Sequence, residues 1–282
     1  MQTFSALAAL RAQLVDWKRD GARIALVPTM GNLHAGHYAL LELARRHADR
    51  VVVSVFVNPT QFGPNEDFSR YPRTPQADAD GLRAADCDAL WLPSVETMYP
   101  AGVVAAVSVH VPGVTEVLEG AHRPGHFDGV TSVVARLFHQ VQPDVAVFGR
   151  KDYQQLVVVR AMIDDLAFPI TLIAAPTRRE PDGLALSSRN RYLSQEERAI
   201  APILHQTLAG LPAQLQAGLT WLEAQAAAEQ ALHAAGFVPD YVAIRQSDLS
   251  EPRALRPEGA LVGLVAARLG RSRLIDSFEF TV

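Results

Sequence analysis

Two textures of apolar residues alternate along the first two thirds of the chain. Residues 24–27, 51–57, 89–92, 145–148 and 170–174 are short, nearly continuous apolar runs, the pattern of strands buried on both faces. Between them, residues 38–48, 76–85, 131–141 and 153–166 read as helices. This alternation predicts a Rossmann-like α/β fold, a parallel sheet with helices on both faces. Ligands of such sheets bind beyond the carboxyl ends of the strands. Residues 103–111 alternate less clearly and are read as an extra strand or hairpin.

The texture changes at Pro176 and the turn-rich Glu180-Pro181-Asp182-Gly183. Ser194-Gln195-Glu196-Glu197 is a capping box, which predicts a helix running through Leu208. An alanine-rich helix is expected over 222–235, and short strands over 241–244, 261–266 and 277–282. We therefore expect two domains, residues 1–175 and a smaller α+β domain over 176–282.

Composition narrows the class. With 282 residues, 49% of them hydrophobic, the chain can bury its cores without covalent staples. A net charge of −4 with dispersed Lys and Arg argues against a nucleic-acid partner. The single cysteine, Cys87, excludes an intrachain disulfide and fits a reducing compartment. No secretory leader and no apolar run of spanning length are found, so a cytoplasmic protein without membrane contact is expected.

The candidate chemistry gathers where strands end. After the first run, which Pro28 and Gly31 are expected to terminate, comes His34-Ala35-Gly36-His37, at the start of a helix. Helix N-termini carry unpaired N–H groups and partial positive charge, so two imidazoles there suit a phosphate. A zinc site is the weaker reading, because no Cys or carboxylate stands nearby at ligand spacing. The second run leads into Asn58-Pro59-Thr60-Gln61, whose amides suit a small polar acid but whose Pro also suits a plain turn. The fourth leads into Gly149-Arg150-Lys151-Asp152, with Gln155 a turn further on, which could set an ammonium against a phosphate.

Convergence of these exits on one cleft is the expectation. In the second domain, Ser187-Ser188-Arg189 offers two hydroxyls and a guanidinium to a polyphosphate, or is a solvated turn. Arg123 and Gly125-His126-Phe127-Asp128-Gly129 read as a structural turn. Asp78 and Asp80 read as a solvated helix face, with Mg²⁺ binding through a nucleotide as the weaker alternative.

Together the histidine pair and the Ser-Ser-Arg loop resemble the two signatures of the HIGH-type nucleotidyltransferase superfamily. The finer match is carried by Pro28-Thr29-Met30-Gly31, Phe56-Val57-Asn58-Pro59-Thr60-Gln61-Phe62, Tyr71-Pro72-Arg73-Thr74, Lys151-Asp152-Tyr153-Gln154-Gln155 and Ser187-Ser188-Arg189-Asn190-Arg191-Tyr192-Leu193. In order and spacing these motifs resemble the pantothenate synthetase (pantoate–β-alanine ligase) family.

The resemblance implies condensation of pantoate with β-alanine, driven by ATP and assisted by Mg²⁺, through a pantoyl adenylate, in a homodimer. It implies catalytic roles for His34, His37 and Lys151. It implies an ATP site of Met30, Gly31, His34, His37, Gly149, Arg150, Lys151, Asp152, Arg178, Leu186, Ser187, Ser188 and Arg189. Gln61, Gln155, Asn58 and Met30 would hold the acid, and the second domain would close over ATP. Arg150, Arg178 and Leu186 depart from the family's usual Glu, small apolar residue and Met. A nucleotidyl transferase that leaves the nucleotide on its product, or a regulatory protein that binds ATP without turnover, are the alternatives.

Overall fold

The five continuous apolar runs, joined at one edge by Gln2–Phe4, become a six-stranded, fully parallel sheet, because strands apolar at successive positions need helices on both faces. The computed structural model describes residues 1–64, 66 and 68–282. In chain order its elements are β1 (Gln2–Phe4), α1 (Leu7–Arg19), β2 (Ile24–Thr29), α2 (Ala35–Arg45), β3 (Arg50–Val55), α3 (Pro75–Ala84), β4 (Ala89–Trp91), α4 (Val95–Met98), α5 (Glu119–His122), α6 (His126–Val141), β5 (Val145–Gly149), α7 (Tyr153–Asp165) and β6 (Thr171–Ala175).

The strand order is β1-β4-β3-β2-β5-β6. The chain winds outward from β2 in one direction and then in the other, so the order reverses between β2 and β5. Ala25 and Val27 pack into one cluster with Leu41 of α2 and Leu82 of α3. Ile24 and Leu26, which alternate with them, face the opposite side, where α6 meets β2. At the amino ends of the strands, aspartates accept from backbone N–H groups: Asp49 from Arg23 at 2.8 Å, Asp144 from Ile24 at 2.7 Å and Asp88 from Val51 at 2.9 Å. These carboxylates pin the edge opposite the loops that carry the candidate chemistry.

A second unit holds α8 (Gln195–Ile200), α9 (Ile203–Gln216), α10 (Trp221–Ala234) and an antiparallel sheet of β7 (Val238–Gln246), β8 (Ala260–Leu269) and β9 (Ser272–Thr281). Its core joins Leu204, Leu208 and Leu211 of α9 and Leu232 of α10 to Ile244 and Val265. The division falls inside α7: Arg150–Val157 group with Pro176–Val282, and Val158–Ala175 with Met1–Gly149.

Several expectations are corrected. Residues 103–111 form neither strand nor hairpin. Their polar backbone groups are taken by α6 side chains instead: Val109 N–H donates to Ser132 Oγ at 2.8 Å, and Arg136 donates to the Val107 carbonyl at 2.7 Å. Pro28 does not end the first strand. It lies within β2, paired across from Ser54 of β3 and beyond the stretch where Ala25 and Leu26 pair with β5, so on the β5 side its missing N–H costs no ladder bond. The helix started by Ser194 stops at Ile200 and restarts at Ile203, because Pro202 has no N–H to continue the ladder. The first twenty residues, to which no element was assigned, form β1 and α1.

Candidate active site

Loop geometry at the end of β2 is set by Thr29, Gly31 and Asp78. Thr29 Oγ1 donates to the Ser54 carbonyl at 2.8 Å and accepts from Gly31 N–H at 3.2 Å. Gly31 has φ +84°, and a Cβ there would lie 2.9 Å from Val55 Cγ1 and 3.0 Å from Asp78 Oδ2, so only glycine fits. Asp78, 2% exposed, accepts from Asn32 N–H at 3.0 Å, Leu33 N–H at 2.8 Å and Thr74 Oγ1 at 3.2 Å. Its carboxylate is therefore neither on a solvated face nor available as a cation ligand. Asp80 does lie exposed on the helix, paired with Gln76 and Arg83. Among the described residues, no group of three or more His, Cys, Asp or Glu could hold a metal ion.

The histidine pair opens α2. His34 is its N-cap: Nδ1 accepts from Gly36 N–H at 3.1 Å, while His37 Nδ1 accepts from His34 N–H at 3.3 Å. This is a capping box built from two imidazoles. Because both Nδ1 atoms accept, the neutral rings carry their hydrogen on Nε2. The ring centroids are 4.2 Å apart, so the two imidazoles sit together at a helix N-terminus.

Beyond β3, the 3-10 turn Pro59–Gln61 holds Gln61, 9% exposed, with Nε2 3.1 Å from Met30 Sδ and Oε1 accepting from Asn58 Nδ2 at 3.1 Å. Asn58 is 1% exposed and supports Gln61 rather than facing outward. The Gln61 carbonyl accepts from His126 Nδ1 at 2.8 Å and from Arg123 at 3.3 Å. Arg123 also makes a two-pronged pair with Glu66 and reaches Glu119 at 3.2 Å. Desolvation, with the nearby Arg123 cation second, pushes His126 down to about 4, so the ring is neutral. Gly129 completes the turn's seat, since a Cβ there would lie 2.4 Å from the Thr60 carbonyl oxygen.

The loops after β2 and β5 flank the point where the strand order reverses, the place where open α/β sheets bind ligands. Gly149 ends β5 there. The chain continues into the second unit as the 3-10 turn Arg150–Asp152, where the mostly covered Lys151 ammonium lies 4.0 Å from the Asp152 carboxylate. Arg150 donates to Glu279 at 2.6 Å, and its carbonyl accepts from Ser277 Oγ at 2.7 Å. Gln154 is buried, and Gln155 is half-buried on α7.

In the same unit, Arg178 and Leu186 face each other across a narrow turn, the Leu186 N–H donating to the Arg178 carbonyl at 2.9 Å, and the Arg178 side chain is exposed. Ser187 caps the 3-10 turn Ser188–Tyr192 by accepting from Arg189 N–H at 3.3 Å. A buried ion pair holds this segment. Arg179 donates to both Asp276 oxygens, at 2.6 and 3.0 Å, and to the Gly183 carbonyl at 3.1 Å.

The sequence profile of the pantoate-beta-alanine ligase family matches residues 2–279. The chain belongs to this family. It is 61% identical to the pantothenate synthetase of Stenotrophomonas maltophilia (strain K279a) over 280 residues, 99% of this chain and all of that one. Identity is likewise 61% with the enzyme of Xanthomonas campestris pv. campestris (strain B100), over 283 residues. The crystal structure of pantothenate synthetase from Thermus thermophilus superposes with a TM-score of 0.91 at 49% identity, covering 99% of both chains. Pantoate-beta-alanine ligase from Francisella tularensis, solved with beta-gamma ATP and beta-alanine, has a TM-score of 0.82 at 30% identity, covering 99% of this chain and 97% of that one. As a member of the family the chain is an enzyme of the ligase class with its two-part fold, a parallel sheet and a smaller antiparallel one.

Asp78, Thr29, Arg123, His126, Arg179 and Asp276 were not assigned these roles in the sequence. A weak signal existed for some of them: Arg123 and His126 flank Gly125 just before a helix, and Asp78 follows a threonine and a proline at a helix start. None of these local patterns shows which distant loop the side chain will hold.

Proposed function

We propose that this chain activates pantoate with ATP as an acyl adenylate and passes the pantoyl group to β-alanine. In the first step a pantoate carboxylate oxygen bonds to the α-phosphorus of ATP, and the bond to the diphosphate leaving group breaks. In the second, the β-alanine amine attacks the acyl carbon, AMP leaves, and the amine loses a proton. Activation is needed because a free carboxylate has no good leaving group for amide formation.

The observation that carries this reading is the accepting pair of Nδ1 atoms, which places the hydrogen of each neutral ring on Nε2 at the start of α2. Donors held in place before charge develops lower the barrier, because they need not reorganise as the reaction proceeds. In this reading His34 and His37 stabilise charge on the phosphates, with His37 Nε2 as proton donor, and Lys151 adds an ammonium. Met30, Gly31, Gly149, Arg150, Asp152, Arg178, Leu186, Ser187, Ser188 and Arg189 complete the ATP site, while Gln61 and Gln155 hold pantoate. Asn58 serves through Gln61. Residues 1–175 supply the acid and nucleotide site, and 176–282 supply the Ser-Ser-Arg loop.

Among the described residues no side-chain group assembles a Mg²⁺ site of its own: Asp78 accepts from two backbone N–H groups and Asp80 pairs with Arg83. Mg²⁺ would enter as the counter-ion of ATP, and a Mg²⁺ titration of the rate measures that requirement. We further infer a homodimer acting in the cytoplasm, for which light scattering of the purified chain should give twice its mass. The deciding measurement is pantoate-dependent exchange of labelled diphosphate into ATP. Exchange with pantoate and no β-alanine is expected, and its absence with folded, pure protein overturns the proposal.

A further inference from the structure

Both ends of the Asn58 amide are used up. Oδ1 accepts from Tyr99 Oη at 2.6 Å, Thr60 Oγ1 at 3.0 Å and Thr60 N–H at 3.3 Å. Nδ2 donates to the Gly129 carbonyl and to Gln61 Oε1, each at 3.1 Å. The assignment of oxygen and nitrogen follows from two backbone groups. The Thr60 N–H can only donate and the Gly129 carbonyl can only accept, so the oxygen must face the first and the nitrogen the second.

Because Asn58 presents a donor, the Gln61 amide must turn its oxygen inward. Its nitrogen then points the other way, toward Met30 Sδ at 3.1 Å, and a thioether is a weak acceptor. Tyr99, 2% exposed, anchors the series at its far end. The Arg136 guanidinium lies 4.8 Å over its ring and Phe56 packs 6.3 Å away. Burial pushes the phenol above its ordinary value, so at neutral pH it is protonated and can donate.

We propose that Tyr99 is a positioning residue: its hydroxyl, together with the Thr60 N–H and the Gly129 carbonyl, holds the Asn58 amide in place, and Asn58 in turn keeps the Gln61 amide nitrogen on the side of Met30, so that Gln61 recognises an acceptor oxygen, hydroxyl or carboxylate, on the bound acid. The inference rests on the reading that Gln61 touches pantoate. Tyr99 itself touches no reacting group.

Steady-state kinetics on Tyr99→Phe, Gln61→Ala and the double variant test both levels separately. Tyr99→Phe keeps the ring and removes one hydroxyl, so the Michaelis constant for pantoate should rise about three- to tenfold, the worth of one hydrogen bond, with that for ATP within about twofold. Added to Gln61→Ala it should have no further effect on pantoate, because the group it positions is gone. An unchanged pantoate constant in Tyr99→Phe, or an equal rise in the Gln61→Ala background, overturns the inference while the reading of Gln61 stands. No pantoate effect from Gln61→Ala overturns that reading itself. If Tyr99→Phe does not fold, Asn58→Asp replaces the donor facing Gln61 with an acceptor at constant shape. It should turn the Gln61 oxygen outward and raise the pantoate constant, and an unchanged value overturns the inference.

Discussion

Each imidazole of the His34–His37 pair divides its work between two nitrogens. Nδ1 builds the helix start and the neutral ring keeps its hydrogen on Nε2, so the two nitrogens are separable by substitution. Asn is a good N-cap, so His34→Asn should hold the melting temperature while diphosphate exchange falls by orders of magnitude. His34→Ala should lose the same activity and also about 1 kcal/mol of stability in chemical denaturation. Asp78 shows the reverse case, a charged residue with no chemistry of its own. Asp78→Ala removes the acceptor for Asn32 and Leu33 N–H, and should cost about 2–3 kcal/mol in denaturant titration, with exchange activity lost through the displaced loop. The histidines were legible in the sequence because their partners lie two and three positions away. Asp78 was not, because its acceptor role depends on N–H groups some 45 residues distant.

Among the elements, α6 and the turn Pro59–Gln61 show how packing places an amide. Gly129 lets the helix approach the turn, and Ala there would gain helix propensity yet press against Thr60. Gly129→Ala should therefore lower stability and raise the pantoate constant together, readable as a melting shift beside a kinetic one. His126, at the first position of α6, adds a pH dependence. Its native value of about 4 lies below the ordinary 6.5, so the unfolded chain takes up the proton first. The stability this ring contributes is complete above pH 6.5 and is lost as pH falls toward 4. Denaturation measured across that range should show a slope approaching one proton, absent in His126→Gln. Helix existence was readable from the apolar period, but Ala35 and His126 begin their helices earlier than that period suggested, because polar residues at a helix start carry no hydrophobic signal.

For the whole molecule, two compact units predict two stabilities. Asp276, with 1% of its side chain exposed, holds Arg179 and through it the turn before Ser187. Asp276→Ala leaves a guanidinium without its counter-charge and should destabilise the second unit by about 3 kcal/mol. Hydrogen exchange should report the loss in β8 and β9 while β2 and β3 stay protected; uniform loss would show that the units unfold together.

The sequence by itself determined the strand and helix alternation, the change of texture near residue 176 and the motifs at the strand exits. These are local, because periodicity, capping and turn chemistry act over a few residues. Only the tertiary structure decided which groups are donors and which are supports. The orientation of the Asn58 and Gln61 amides, the buried Asp78 contacts and the seat made by Gly129 all depend on contacts between segments far apart in the chain. Hydrogen-bond polarity at a buried site belongs to the whole set of partners, and that set exists only after folding has assembled it.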